Sequence, residues 1–262
     1  MPTIHLIGTR SGGEQVAATL QDLILNSRAS LPVVVHARTE VCAGLSQVWP
    51  ANDRLLYQAF DAGLPLAALL AGEGKQVWLA AGTRLPLGWD VRLLAMAAKT
   101  AGYGVVSALC TRLAAHKPAR LSYAGTAAWP EPDRRVPDVS RGEVVSTRFI
   151  SPYCCVVQAA VQVPGNDLDF GDAAQRLIYG VRLLAAGISL GLADATLVHW
   201  DGENGFPCEP GVAAFEQHLA DYHALLPVQS MDAGLSPRPR RLLGGALETM
   251  VRVVHRVWRL GV

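Results

Sequence analysis

The 262-residue sequence has no run of about 18 apolar residues free of charge, so no membrane-spanning helix is expected. Its most apolar long stretch, Leu55 to Leu70, is broken by Asp61 and Pro65. It has no basic surplus: 23 Lys and Arg against 22 Asp and Glu leave a formal charge of +1, which argues against a general nucleic-acid binder. Cysteine is scarce and unpatterned. The five residues Cys42, Cys110, Cys154, Cys155 and Cys208 form no C-x-x-C pair, which excludes the common zinc spacings and reads as reduced, buried thiols of a cytosolic protein. The opening MPTIHLIGTRSGG is too short and too polar for a secretory leader, so the expected location is the cytoplasm. Charged residues are only 17% of the chain and apolar ones 50%, a balance that excludes disorder and supports a full core. No internal repeat or low-complexity tract is present. Gly72 to Lys75 lacks the rest of a P-loop, and no G-x-S-x-G elbow occurs.

What is present is an alternation of short strands and helices. Thr3 to Ile7 is a β-type run, closed by the Gly8–Gly13 turn, and Glu14 to Asn26 places Val16, Leu20, Leu23 and Ile24 at helical spacing. Pro32 to His36 is a β-branched run of the kind buried in a parallel sheet. Asp53 to Leu70 reads as helix, with Gly63 and Pro65 as break points. Gln76 to Ala80 is a third strand, Trp89 to Thr100 a helix, and Gly104 to Leu109 a fourth strand. The first 110 residues therefore predict an open, mostly parallel α/β sheet with helices on both faces. Ala124 to Gly142 is Pro-rich and charged, without periodicity, and reads as an exposed loop. Tyr153 to Val163 is a strand region, Ala173 to Ala186 a helix ended by Gly187 as an αL cap, and Ile188 to Leu192 and Ala195 to His199 are two short strands. Phe215 to Leu226 is amphipathic.

Charge is unevenly spread. Ser236 to Val262 carries six Arg and one acid, a net of +5, on a body of net −4. Pro227 to Pro239 is a linker, and Arg240 to Leu260 is a basic amphipathic helix whose apolar face includes Leu243, Leu247, Met250 and Val254, with Trp258 near its end. That face requires a cover, which is the body, a second copy or partner protein, or an anionic membrane surface. The domain reading is 1–226 as the body, 227–239 as linker and 240–262 as the helix.

Two stretches carry a family resemblance. Trp78-Leu79-Ala80-Ala81-Gly82-Thr83-Arg84-Leu85-Pro86-Leu87-Gly88-Trp89, followed by a helix and Gly104-Val105-Val106-Ser107, is one; Gly171-Asp172 through Val181-Arg182-Leu183-Leu184-Ala185-Ala186-Gly187, followed by Leu192 to His199, is the other. Together they resemble the family 2 glycosyltransferases, over roughly Thr3 to Trp200. The resemblance implies a GT-A-like three-layer α/β sandwich with a mostly parallel central sheet, and a nucleotide-sugar donor used on a glycan or lipid-linked acceptor.

Residue by residue, the resemblance departs from that pattern. Relatives hold a divalent cation through Asp carboxylates after the third strand, where this chain has Ala80, Ala81, Gly82 and Thr83, so no metal or other cofactor is expected. The general base maps to Asp172, which is also a favoured helix N-cap type; a gapless count puts Gln175 and Arg176 there instead. His36 stands where relatives have an acid that seats the nucleotide, with Arg38 able to pair a phosphate. Thr9 and Arg10 lie in the Gly-rich turn that opens a helix and can cradle an anion. His199 matches a late His that in relatives can reach the metal or the diphosphate, and with Asp201 and Glu203 it makes either a replacement metal site or a solvated turn. Two functions follow: a transferase with Asp172 as base and Arg10, Arg38 and His199 replacing the cation, or a catalytically degenerate relative that serves as a binding or scaffolding module.

Overall fold

The computed structural model describes residues 1–70, 74–100, 102–112, 120–123, 134–135, 142–147, 150–158, 161, 163 and 165–200. The expected helices at 215–226 and 240–260, the linker between them, Asp201, Glu203 and nearly all of the 124–142 loop lie outside the described residues.

The chain begins β1 (Thr3–Ile7), α1 (Gly13–Asn26), β2 (Val33–Ala37), α2 (Thr39–Val48), β3 (Leu55–Ala59), α3 (Leu66–Leu69), β4 (Gln76–Ala80), β5 (Thr83–Arg84) and α4 (Trp89–Lys99). It continues β6 (Val105–Arg112), β7 (Arg120–Tyr123), β8 (Arg134–Arg135), β9 (Val144–Thr147), β10 (Cys154–Val157), α5 (Ala173–Ala185) and β11 (Leu190–Trp200). The main path of the sheet runs β3-β2-β1-β4-β10-β6-β11-β5, with β9 beside β11 and the β7–β8 pair beside β6. β1, β2, β3 and β4 pair in parallel, as do β6 and β11. β10 runs antiparallel to both β4 and β6, so those two share one direction, and β5 opposes β11. The sheet is thus mixed but mostly parallel, as the strand pattern predicts.

Three expectations need correction. Asp53 to Leu70 is not a helix: its first half is β3, parallel to β2, and only Leu66–Leu69 is helical. An unpredicted helix, α2, precedes it, with Val41, Cys42 and Leu45 turned inward at helical spacing. The two short strands after Gly187 are one strand, β11, with a register shift between Ala193 and Leu197. The strand region at 153–163 is shorter, Cys154–Val157. The Gly187 cap holds: at φ +79° it closes α5 with Ile188 N–H donating to Leu183 O at 2.9 Å and Gly187 N–H to Leu184 O at 2.9 Å, the paired bonds of a Schellman motif. Among the described residues no helix is long and apolar enough to cross a membrane.

Strand alternation sorts the core into two faces. On one, Trp78 packs edge-on to Phe170 at 5.4 Å between ring centroids and tilted against Tyr179 of α5 at 5.9 Å. On the other, Val16 of α1 lies 2.5 Å from where a side chain on Gly8 would begin. The first face also holds a polar chain across three strands. His5 Nε2 lies 2.7 Å from Gln76 Oε1, and His5 Nδ1 lies 2.8 Å from His36 Nε2. The Gln76 carbonyl requires a proton on His5 Nε2, so His5 Nδ1 accepts and His36 Nε2–H donates. Burial pushes both imidazoles down, His5 to about 4 and His36 to about 3, with His5 adding to the effect on His36.

Both rings are therefore neutral in the folded chain and take up protons on unfolding. The unfolded state binds more protons below about pH 6.5, so stability is complete above that pH and declines as pH falls toward 3, by roughly 3 kcal/mol for His5 alone. Denaturant titrations at about pH 7 and about pH 4.5 are expected to show a lower midpoint in acid, and a His36→Gln variant, which cannot take up the second proton, a shallower decline.

Candidate functional site

The C-terminal ends of β1, β2 and β4 lie side by side, where an open α/β sheet presents its loops. The backbone there is mostly engaged. Gly8 N–H donates to His36 O at 2.7 Å, Ala81 N–H to Ile7 O at 2.8 Å and Ala80 N–H to Tyr153 O at 2.8 Å. Gly82 N–H donates to Thr19 Oγ1 at 2.9 Å, and that hydroxyl in turn donates to Gln15 O at 3.0 Å. The Ala80–Gly82 amides thus hold the end of β4 against Tyr153 before β10, β1 and α1 in turn and do not form an anion cradle. Thr83 is fully buried and its hydroxyl has no hydrogen-bond partner.

The charged cluster of this edge forms one strand over, around a residue the sequence reading did not select. Arg10, in the turn after β1, donates from Nε and Nη2 to Asp169 Oδ2 at 2.9 and 2.6 Å. Asp169 Oδ1 accepts the N–H of Leu64 at 2.8 Å and of Gly171 at 2.9 Å. Its own N–H donates to Gln175 Oε1 at 2.5 Å. Burial alone would raise the Asp169 pKa, but the Leu64 N–H, Arg10 and the Gly171 N–H outweigh it and hold the carboxyl below its ordinary value. Asp172 lies at the N-cap position of α5, where its carbonyl accepts Arg176 N–H at 3.2 Å, and its Oδ2 is 3.9 Å from Arg10 Nη1. Thr9 is buried beside this cluster.

One turn into α5, Arg176 is buried. Its Nε and Nη2 donate to Pro152 O at 3.2 and 2.9 Å, and Nη1 to Phe170 O at 2.5 Å. Burial lowers its pKa to about 10 against the opposing pull of Asp172, so it remains a cation at neutral pH. The gapless count that placed Gln175 and Arg176 at the base position therefore lands on a buried guanidinium and on an amide that bonds Asp169.

The other candidates are dispersed. His36 is fully buried, bonded to His5 and tilted against Phe60. Arg38 is the residue before α2; its guanidinium is half-exposed and pairs with Glu40 at 3.2 Å. His199 lies in β11 opposite Arg84 of β5, with Trp200 opposite Thr83, which brings the late strand beside the Gly82–Thr83 turn. The structure thus brings Thr9, Arg10 and Asp172 together, sets Gly82, Thr83 and His199 on neighbouring strands, and leaves His36 inside. Asp169 had a sequence signal: in Asp167-Leu168-Asp169-Phe170, Leu168 and Phe170 alternate into the core, which turns the two acids the other way.

A divalent cation does not fit the β4 turn. Ala80 to Thr83 provide no carboxylate, three of their N–H groups are engaged, and the acid beside this turn, Asp22, is taken up by the Arg84 guanidinium at 2.7 and 3.0 Å and by the Leu85 N–H at 3.0 Å. Among the described residues no cluster of three or more His, Cys, Asp or Glu is placed to hold a metal ion.

The close approach of the two turns has one steric requirement. A Cβ on Gly171 would fall 2.1 Å from Thr9 Oγ1 and 3.0 Å from Asp169 Oδ1, whereas one on Gly12 meets nothing within 4 Å. Gly171→Ala is expected to destabilise the chain by about 1–3 kcal/mol, the range of an overpacked site, while Gly12→Ala is close to neutral; denaturant midpoints of the two variants check this.

No family model and no curated protein matches the chain. Among solved structures it is similar to a crystal structure of GalNAc-T7 with UDP, GalNAc and Mn2+, at a TM-score of 0.58 and 12% sequence identity, over 85% of this chain and 49% of that one. The chain spans about half the length of that structure. The mixed, mostly parallel sheet and this likeness together assign it a GT-A-like fold.

Proposed function

We propose that the chain is a glycosyltransferase-like protein that binds a nucleotide-sugar and transfers the sugar to a glycan or lipid-linked acceptor. The observation that carries this reading is the Arg10–Asp169–Asp172 cluster at the C-terminal edge of a GT-A-like sheet. Arg10 is cationic and more than half exposed, so it can meet a diphosphate; Arg38 follows β2 and His199 is near the end of β11, so both positions fall at the C-terminal ends of strands that run the same way. Asp172 is the general base in this reading: it is partly exposed at the head of α5, beside Arg10. The diphosphate charge is met by guanidinium groups in place of a divalent cation. The GalNAc-T7 structure, which holds UDP and GalNAc, makes a uridine nucleotide-sugar the first donor to test.

A second reading has its own observation. Three positions where the resemblance implies donor contacts hold buried or non-acidic groups: His36 and Thr83 are fully buried, and Ala80 has no ligand atom on its side chain. This favours a catalytically degenerate module. The basic 240–262 segment is, on sequence, an attachment device toward a second copy, a partner protein or an anionic membrane surface.

Calorimetric titration with a panel of nucleotides and nucleotide-sugars, with and without Mn2+, separates the readings. The transferase reading expects donor binding that survives chelation, and an Asp172→Asn variant whose turnover falls about 100-fold or more with donor affinity nearly intact. Absence of binding to every member of the panel supports the scaffold. Truncation after Leu235 is expected to leave the body folded while reducing self-association or liposome binding; a truncated chain that fails to fold would make the tail part of the core.

A further inference from the structure

We propose that Asp169 is the positioning residue of this cleft: it grips one edge of the Arg10 guanidinium so that the other edge is pre-set as the receptor for the donor's diphosphate. The inference rests on the reading of the cleft as a nucleotide-sugar site and names the residue on which its anion affinity depends.

A guanidinium offers two useful forks, Nε with Nη2 and Nη1 with Nη2. Asp169 takes the first, with both donors on a single oxygen at 2.9 and 2.6 Å. Nη1 remains 3.9 Å from Asp172, beyond hydrogen-bond range, and the Arg10 side chain is 59% exposed. The second fork is therefore open to solvent beside the Asp172 carboxylate, and the grip of Asp169 on the first sets its orientation. Asp169 is itself anchored by parts of the chain far apart in sequence. Its second oxygen holds Leu64 N–H, from the segment after β3, and Gly171 N–H, from the turn before α5, and its own N–H is taken by Gln175. An incoming anion does not have to displace Asp169, because the two use different edges of the same guanidinium. A long, exposed Arg on a Gly-rich turn would otherwise lose its rotamer freedom on binding; here that ordering is already complete in the free chain.

The test is calorimetric titration of the full chain with inorganic pyrophosphate, comparing wild type with Arg10→Gln, Arg10→Lys, Asp169→Asn and the Arg10→Gln/Asp169→Asn double variant. Wild type is expected to bind. Arg10→Gln should weaken binding about ten-fold or more, and Arg10→Lys nearly as much, because an ammonium keeps the charge but has no second fork. Asp169→Asn should weaken binding comparably, and the double variant should be no weaker than Arg10→Gln, since both changes remove one element. Asp169→Asn binding pyrophosphate as well as wild type, or better, overturns the proposal, as does an Arg10→Lys variant of wild-type affinity. If Asp169→Asn does not fold, the Arg10→Lys comparison decides alone, at an exposed side chain. A wild-type chain that ignores pyrophosphate removes the cleft reading and this inference together, whereas binding that Arg10 variants leave unchanged removes this inference and leaves the cleft open.

Discussion

The carboxylate of Asp169 accepts four hydrogen bonds from three separate segments: two from Arg10 after β1, one from Leu64 after β3 and one from Gly171 before α5. It is only 18% exposed, and these bonds keep the group ionised although burial opposes it. Removing any one donor would leave the others to hold a partly desolvated charge, which makes the four contacts a unit. The candidate site is a consequence of this unit. The turn carrying Arg10, the segment after β3 carrying Leu64 and the head of α5 carrying Asp172 are held by the same side chain. Gly171 permits it, since a Cβ there would collide with Thr9.

The electrostatics of this edge are those of paired guanidinium and carboxylate groups. Arg10 lies at the surface and Arg176 inside, facing Asp169 and Asp172. Arg176 is satisfied by the carbonyls of Pro152 and Phe170, which draws the entry of β10 onto α5 and fixes the direction from which α5 presents Asp172. A buried guanidinium without such acceptors would be strongly unfavourable. The likeness to GalNAc-T7 is one of fold, and the β4 turn, with no carboxylate and its amides engaged, sets this chain apart from a site built around a hard cation.

Most elements with a strong local signal were legible. The β-branched run before His36, the helical spacing of Val16, Leu20 and Leu23, and the Gly187 cap each specify their structure through nearest-neighbour chemistry, and the structure agrees. Errors fell where local preference is weak and pairing decides. Leu55 to Ala59 is an edge strand, with Leu56, Gln58 and Ala59 exposed, so it lacks the buried alternation that identifies a strand from sequence. The direction of β10 has no sequence signature at all, because an antiparallel strand between two buried parallel ones is as apolar as its neighbours.

The sequence by itself determined the class of fold, the absence of carboxylates at the β4 turn and the presence of Arg10 and Asp172 in turns at opposite ends of the body. Composition, period and residue identity are local properties, and these conclusions need nothing else. Only the tertiary structure decided that Asp169 joins those turns, that His36 faces His5 inside the sheet and that Arg176 is buried. Each depends on residues 24 to 159 positions apart coming within hydrogen-bond distance, which the packing of the strands and α5 sets and no single stretch of chain encodes.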